Sequence, residues 1–328
     1  MAVLTLREAE ELAMAALFRA RTSERNAALV GRALVMAEAE GLASHGLLRL
    51  PIYAAQTKAG KIDGYAVPQV SQPRPAVLAI DARNGFANPA LNEAVQALPR
   101  IAREHGIALA GICRSQHCGV AGHHVRNLAH AGMVGMLFAN APAAMAPWGG
   151  KKAVFGTNPI AFACPLPDQD PIVVDLSLSK VARGHILSAA RRGESIPADW
   201  ALDVEGKPTT SPEAALAGTM VPLGDAKGTA LALMVELLAA GLTGANFAAD
   251  ASSFLDAEGP PPATGQLLIA IDAGVFGVQP SHFLRMARAI EDQEGARLPG
   301  SRRSRALRRA EQHGLNVNDN LLAEIAAI

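Results

Sequence analysis

Three strand-like runs, Met133–Asn140, Val154–Cys164 and Pro171–Leu176, follow one another with only turns between them. That spacing constrains the chain more than any other feature, because neighbouring parallel strands need a long crossover, usually a helix. These runs are therefore expected to lie antiparallel. Ala76–Asp81, Ile107–Cys113 and Leu267–Asp272 are further short runs of small and β-branched residues bounded by Gly, Pro or polar residues, the pattern of strands. Helices are expected at Asn92–His105 and His123–Ala131, and strands mixed with helices give an α/β class. No G-x-G-x-x-G follows a strand and opens a helix, so the usual phosphate-binding device of doubly wound folds is missing. Gly119-Val-Ala-Gly122 is the nearest glycine-rich turn.

The preceding segment reads as helical. Thr5-Leu-Arg-Glu8 is a capping box for a helix to about Arg21. Ser23 caps a second helix to about Gly41, with Val30, Leu34 and Ala37 on one face. Ser44-His45-Gly46-Leu-Leu-Arg49-Leu-Pro51 begins a further helical turn. Gly and Pro become dense between Gly60 and Pro75, marking a connection into a second domain. Gly228–Gly244 is apolar but contains Glu236 and falls short of the ~20 residues of a membrane span, so a buried helix is expected. Arg191–Gly218 reads as a polar surface excursion, Ala248–Thr264 as a proline-rich loop, and the segment bearing Arg302, Arg303, Arg305, Arg308 and Arg309 as a final helix. The expected division is a helical domain, 1–75, joined by 301–328. A sheet domain follows, 76–188 and 226–300, with an excursion or small subdomain at 189–225.

Thirty basic and thirty acidic residues cancel, and aromatics make up 4% of the chain. Such a chain lacks the electrostatic footprint and stacking platforms of nucleic-acid binding. Arg7, Glu8, Glu10, Glu11 and Arg19 interrupt the first residues, so no signal peptide is expected. Cys113, Cys118 and Cys164 form neither a disulfide framework nor a C-x-x-C pair, which fits the reducing cytoplasm. With Gly228–Gly244 too short to span, no membrane association is expected. His117, His123 and His124 match no zinc spacing, and no metal is expected.

Six segments in order carry a resemblance over nearly the whole chain. They are Ser44-His45-Gly46-x-x-Arg49, Asn84-Gly-Phe-Ala-Asn-Pro-Ala-Leu91, Phe155-Gly-Thr-Asn-Pro-Ile-Ala-Phe162, Met234-Val-Glu-Leu-Leu-Ala-Ala-Gly-Leu-Thr-Gly244, Thr264-Gly-Gln-Leu-Leu-Ile269 and Arg297-Leu-Pro-Gly300. The chain resembles the malate/L-lactate dehydrogenase-like family, and its wording is most similar to the Δ1-piperideine-2-carboxylate/Δ1-pyrroline-2-carboxylate reductases. The resemblance implies a non-Rossmann, largely antiparallel cofactor-binding sheet with a helical N-terminal domain. It also implies a homodimer acting on a small-molecule substrate, with NADP(H) as preferred cofactor and NAD(H) as the second choice.

Hydride transfer to C2 of a 2-oxo or 2-imino acid needs a proton donor and a holder for the neighbouring carboxylate. Arg49 suits the carboxylate, because a guanidinium fork matches it bidentately; taken alone it reads equally as a surface arginine. His45, with Ser44 to orient it, is the candidate proton donor, since imidazole titrates near neutrality. His117 is a second candidate acid/base, to which the resemblance to the hydroxy-acid dehydrogenases gives that role. The resemblance also places Thr157, Arg183 and Gly184 at the substrate. It places His117, Cys118, Gly119, Val120, Ala121, Asp175, Leu176, Ser177, Lys227, Arg302 and Arg303 along the cofactor. Two positions depart from the family. His185 stands where the reductases carry the Asp of their proton relay, and a missing carboxylate is expected to lower the pKa of His45. Asp225 and Ala226 replace the Gly and His of a G-G-H-K-G segment.

Three readings follow. The first is NADPH-dependent reduction of a cyclic 2-imino acid to L-pipecolate or L-proline. The second is a 2-hydroxy-acid dehydrogenase for malate, lactate, ureidoglycolate or a sugar acid. The third is an impaired homologue that binds a dinucleotide without turnover.

Overall fold

The structure, a computed structural model, describes residues 2–328. Helix Leu6–Arg19 opens on the capping box. The Thr5 hydroxyl accepts from the Glu8 amide at 3.2 Å and the Glu8 carboxylate accepts from the Thr5 amide at 2.8 Å. Ser23 caps Glu24–Ala39 with a single bond, its hydroxyl accepting from the Asn26 amide at 3.3 Å. The two helices pack through Ala9, Ala13, Ala16 and Leu17 against Ala27, Val30 and Leu34, small residues that let the backbones approach. The C-terminal helices Ser301–His313 and Asp319–Ala326 return to this body. Ala310, Leu315, Val317, Leu321 and Ile325 share its core, and strand Leu315–Val317 pairs antiparallel with Ala2–Leu4.

The main sheet has seven strands in the order Gln69–Arg74, Val77–Asp81, Ile107–Ser115, Thr264–Asp272, Met133–Ala139, Ile160–Cys164, Ile172–Leu176. Val77–Asp81 with Ile107–Ser115 is the one parallel pair; every other neighbour is antiparallel. That pair is joined by the 19-residue helix Ala87–His105, the crossover that parallel pairing demands. Side chains alternate across the sheet. Leu137, Ala139, Leu268 and Ala270 enter the core under helices Ala87–His105 and Ala121–His130. Phe138 and Leu267 face Ala232, Val235 and Ala239 of the opposite layer.

Several local expectations are corrected. Gln69–Arg74 is a strand inside the expected connection; its residues are all exposed and its register shifts after Ser71, near Pro73, as an edge strand tolerates. Only Ile160–Cys164 of the run from Val154 is strand. Before it a Cβ on Gly156 would lie 2.2 Å from the Ala141 carbonyl oxygen, and Asn158 has φ of 41°. Helix Ala87–His105 starts before Asn92 because Pro89 falls in its first turn, where no amide is needed. The helix expected to be buried, Ala226–Glu236 with the π-turn Leu237–Gly241, instead exposes Leu231, Leu233, Met234, Leu237 and Leu242. An unforeseen helix, Arg183–Arg192, runs across position 189. With Pro212–Ala217 and the strand pair Ala201–Leu202/Thr219–Met220 it encloses Ile186, Ala189, Ile196, Ala201, Ala215 and Met220. Residues 183–220 thus form a small packed unit with its own core. Among the described residues no helix is long and apolar enough to cross a membrane.

Candidate active site

Helix Glu24–Ala39 ends beneath two 3-10 turns, Ala43–His45 and Leu47–Arg49. The Glu38 carboxylate accepts the Leu47 amide at 2.9 Å, and burial raises its pKa. Gly46 closes this turn, because a Cβ there would stand 2.2 Å from Glu38 Oε2 and 3.0 Å from the Glu38 amide nitrogen. Gly46→Ala is therefore expected to destabilise the fold by about 1–3 kcal/mol, the usual cost of overpacking, and to displace His45 and Arg49 together. Urea titration and kcat/KM measure the two effects; parental values in both would show that the turn has room.

The turn presents a connected set. Ser44 Oγ lies 3.0 Å from His45 Nδ1, and Arg49 Nε donates to the Ser44 carbonyl at 2.8 Å. Arg49 Nη1 is buried with no hydrogen-bond partner. His117 arrives from the end of strand Ile107–Ser115, its ring centroid 5.3 Å from that of His45 and 5.3 Å from that of Phe254. The Tyr53 hydroxyl is hydrogen-bonded to His117 Nδ1 at 2.7 Å. Burial, then the Arg49 charge, hold His45 at about 4, although Asp175 works in the opposite direction. Burial, Arg49 and His45 together depress His117 well below its ordinary value. Burial pushes the Tyr53 hydroxyl up to about 12. Both imidazoles are therefore neutral at pH 7, and Tyr53 keeps its proton.

Tyr53 was not among the sequence candidates. Its signal was available, since His45, Arg49 and Tyr53 are spaced four apart, the repeat that stacks side chains along one helical face.

The expected cofactor segment lies beside this set. Cys118 is buried, which pushes its thiol up to about 12 and leaves it a packing residue. Gly119 has φ of 69° with open space where a Cβ would stand. Val120 and Ala121 are buried and lead into helix Ala121–His130. The Gly122 amide at the helix start donates to Asp175 Oδ2 at 3.0 Å, and Arg303 Nη1 donates to the same oxygen at 2.6 Å. Asp175 and Arg303, expected as separate cofactor contacts, are thus paired with each other. The chain's own carboxylate occupies the helix N-terminus, the usual anion site. Leu176 is exposed, and Ser177 Oγ lies 3.2 Å from Ser179 Oγ.

On the other side, Gly184 closes on the turn, a Cβ there falling 3.5 Å from Ser44 Cβ. Arg183, the preceding residue, has a buried Nε with no hydrogen-bond partner; burial lowers its pKa. Thr157 is half-buried and its carbonyl accepts the Leu178 amide. His185 is exposed and faces Trp200, with centroids 6.3 Å apart, rather than His45. Lys227 and Arg302 are exposed, and neither side chain bonds to this cluster among the described residues. His123 and Arg126 pair instead with Glu40. Burial pushes that carboxyl up, but the two partners outweigh it and hold it at about 2. Among the described residues no group of three His, Cys, Asp or Glu could hold a metal ion.

Comparison with known proteins agrees with this architecture. The malate/L-lactate dehydrogenase family model matches residues 4–326. The chain is 50% identical over 326 residues to (2R)-3-sulfolactate dehydrogenase (NADP(+)) of Chromohalobacter salexigens, covering 99% of this chain and 97% of the relative. It is 39% identical over 329 residues to the Δ1-pyrroline-2-carboxylate/Δ1-piperideine-2-carboxylate reductase of Pseudomonas aeruginosa, covering 99% and 98%. The crystal structure of Δ1-piperideine-2-carboxylate reductase from Pseudomonas syringae superposes with a TM-score of 0.92 at 36% identity, covering 100% of this chain and 99% of that one. The chain belongs to the malate/L-lactate dehydrogenase family of oxidoreductases.

Proposed function

We propose that the protein is an NADP(H)-dependent dehydrogenase for an anionic 2-hydroxy acid, with 3-sulfolactate the first substrate to test. The observation that carries this reading is the pair of guanidiniums, Arg49 and Arg183. Arg49 leaves Nη1 buried and unpartnered beside Ser44. Arg183, whose neighbour Gly184 packs on Ser44, leaves Nε buried and unpartnered while its Nη2 donates to the Leu216 carbonyl at 3.4 Å. An unpaired buried donor costs about 1–3 kcal/mol, and a substrate with two anionic groups would satisfy both. In the oxidative direction His117 accepts the hydroxyl proton, a task for which a neutral imidazole is the ready form. Bound NADP⁺ supplies the acceptor for the C2 hydride. The residues fit such a group: Gly119 leaves open space, and helix Ser301–His313 begins without a side-chain cap, with the Ser301 hydroxyl unpartnered and Arg302 exposed beside it. That basic, uncapped helix end suits a 2′-phosphate. The 50% identical relative is named for NADP(+).

Reduction of a cyclic 2-imino acid is the second reading, favoured by the reductase wording of residues 234–244 and by the P. syringae structure. Against it, His185 stands away from His45, so nothing at that position holds a proton on His45. The test is a rate panel: NADP⁺ and NAD⁺ with each enantiomer of 3-sulfolactate, malate and lactate, and NADPH with both cyclic imines. Turnover of sulfolactate at least 10²-fold above the imines upholds the first reading. The reverse order installs the second, and no turnover anywhere returns the chain to dinucleotide binding alone.

We also infer a homodimer formed through the exposed face of residues 226–242. Leu231, Leu233, Met234, Leu237 and Leu242 form an apolar surface of the kind that marks association sites. Leu233→Glu with Leu237→Glu is expected to give a monomer in sedimentation equilibrium. A parental mass for that variant would move the interface elsewhere.

A further inference from the structure

Lys61 is 3% exposed, and its ammonium meets three oxygens of one loop: the carbonyls of Ser253 at 2.8 Å and Asp256 at 3.2 Å, and Asp256 Oδ1 at 3.0 Å. Gln56, fully buried, ties the same point by donating to the Asp256 carbonyl at 2.8 Å while its own oxygen accepts from Gln116 at 2.8 Å. Gln116 is the neighbour of His117. Withdrawing an ammonium from water is costly unless all its donors are satisfied, and apolar side chains could fasten a loop without that cost.

The fastened loop carries Phe254, 8% exposed, whose ring faces that of His117. Otherwise the loop is held mainly near its ends, by Asn246 on the carbonyls of Pro262 and Ala263 and by Ser252 on the Pro260 carbonyl.

We propose that Lys61 is a positioning residue for the reaction: by holding residues 253–256 it keeps Phe254 on the His117 ring and water off that imidazole. The proposal rests on the acid/base reading of His117 given above. Every other group facing His117 stays in place when the loop loosens. Tyr53 sits at Nδ1, His45 across the ring, Arg49 acts on both imidazoles, and the Cys118 thiol next in the chain is protonated. Phe254 is the uncharged wall, and Lys61 is neutralised by Asp256. Admitting water therefore relaxes the burial that depresses His117, and its midpoint moves upward.

The experiment is a histidine-selective NMR titration of the full-length protein, with His117→Asn assigning the signal, alongside the pH profile of kcat/KM. Phe254→Leu and Lys61→Met are each expected to raise the His117 midpoint by about one pH unit, and the double variant to shift it no further. Asp256→Ala, which keeps the two carbonyl contacts, gives a smaller shift of the same sign and serves if Lys61→Met does not fold. The acid limb of kcat/KM moves in parallel. A shift in Phe254→Leu with none in the Lys61 or Asp256 variants overturns the positioning role, as does an unmoved midpoint in all of them. Because the titration reads His117 without turnover, a His117→Asn protein that stays active would refute the acid/base reading, and the shift would then report only that Lys61 holds Phe254 against His117.

Discussion

Arg49→Met is expected to lower kcat/KM roughly 10³-fold, mostly through KM. Arg49 spends its Nε on the Ser44 carbonyl and leaves Nη1 buried and unpartnered, so the side chain is already oriented for an incoming carboxylate. Removing one partner of a buried, hydrogen-bonded charge pair costs about 2–5 kcal/mol, and about 1.4 kcal/mol is tenfold in rate or affinity. A carboxylate is held equally before and during hydride transfer, which puts the loss in binding.

The same substitution has a second, separable effect. After burial, the Arg49 charge is the largest cause of the depression of both His45 and His117. Without it both midpoints rise, and the acid limb of the profile moves to higher pH. Arg49→Lys keeps the charge and loses the fork, so its acid limb should stay near the parental position while affinity still falls. A kcat/KM for Arg49→Met within threefold of the parent would remove Arg49 from substrate binding altogether.

Much of the fold was legible because hydrophobic alternation and turn chemistry act locally. The close spacing of the runs from Met133 to Leu176 predicts the antiparallel edge of the sheet, and the Thr5 capping box predicts the helix that follows it. What failed depends on tertiary context. Nothing local distinguishes a helix that buries Val235 and Ala239 while exposing Leu233 and Leu237 from one buried all round. Gln69–Arg74, with Pro73 in it, becomes a strand only because Val77–Asp81 offers an edge.

The candidate site divides along the same line. Ser44, His45 and Arg49 are neighbours in sequence, and their grouping was readable. Tyr53, Phe254 and Lys61 reach His117 from 64, 137 and 56 positions away, directly or through the loop, and single residues at such distances carry no local pattern. Asp175 and Arg303, 128 positions apart, were each foreseen as cofactor contacts. Their mutual ion pair was not, because it exists only once the C-terminal helix has docked.

The assignment of His117 rather than His45 as acid/base leads to the second large effect. His117→Asn is expected to lower kcat about 10³-fold, within the range of general acid–base catalysis, with KM little changed. The argument is positional. His45 Nδ1 is engaged by Ser44, whereas His117 Nδ1 is engaged by a tyrosine that keeps its proton throughout the working range. A hydroxyl can accept from Nδ1–H or donate to bare Nδ1, so Tyr53 stays bonded in either tautomer. When it accepts, Nε2 is left as the free lone pair that a hydroxyl proton needs. Tyr53→Phe should therefore cost about tenfold in kcat, the value of one orienting hydrogen bond.

The pH dependence follows with a definite sign. The active form for oxidation is neutral His117, and its midpoint lies well below 6.5. Oxidation should therefore be on its plateau at pH 7 and fall only as acid protonates the ring through that depressed midpoint. Reduction needs the protonated ring and should gain over the same acidic interval. Substrate binding to Arg49 screens one cause of the depression and moves the limb in kcat above that in kcat/KM. If His117→Asn retains a tenth of parental kcat while His45→Asn abolishes turnover, the acid/base is His45. The Tyr53–His117 bond would then be structural.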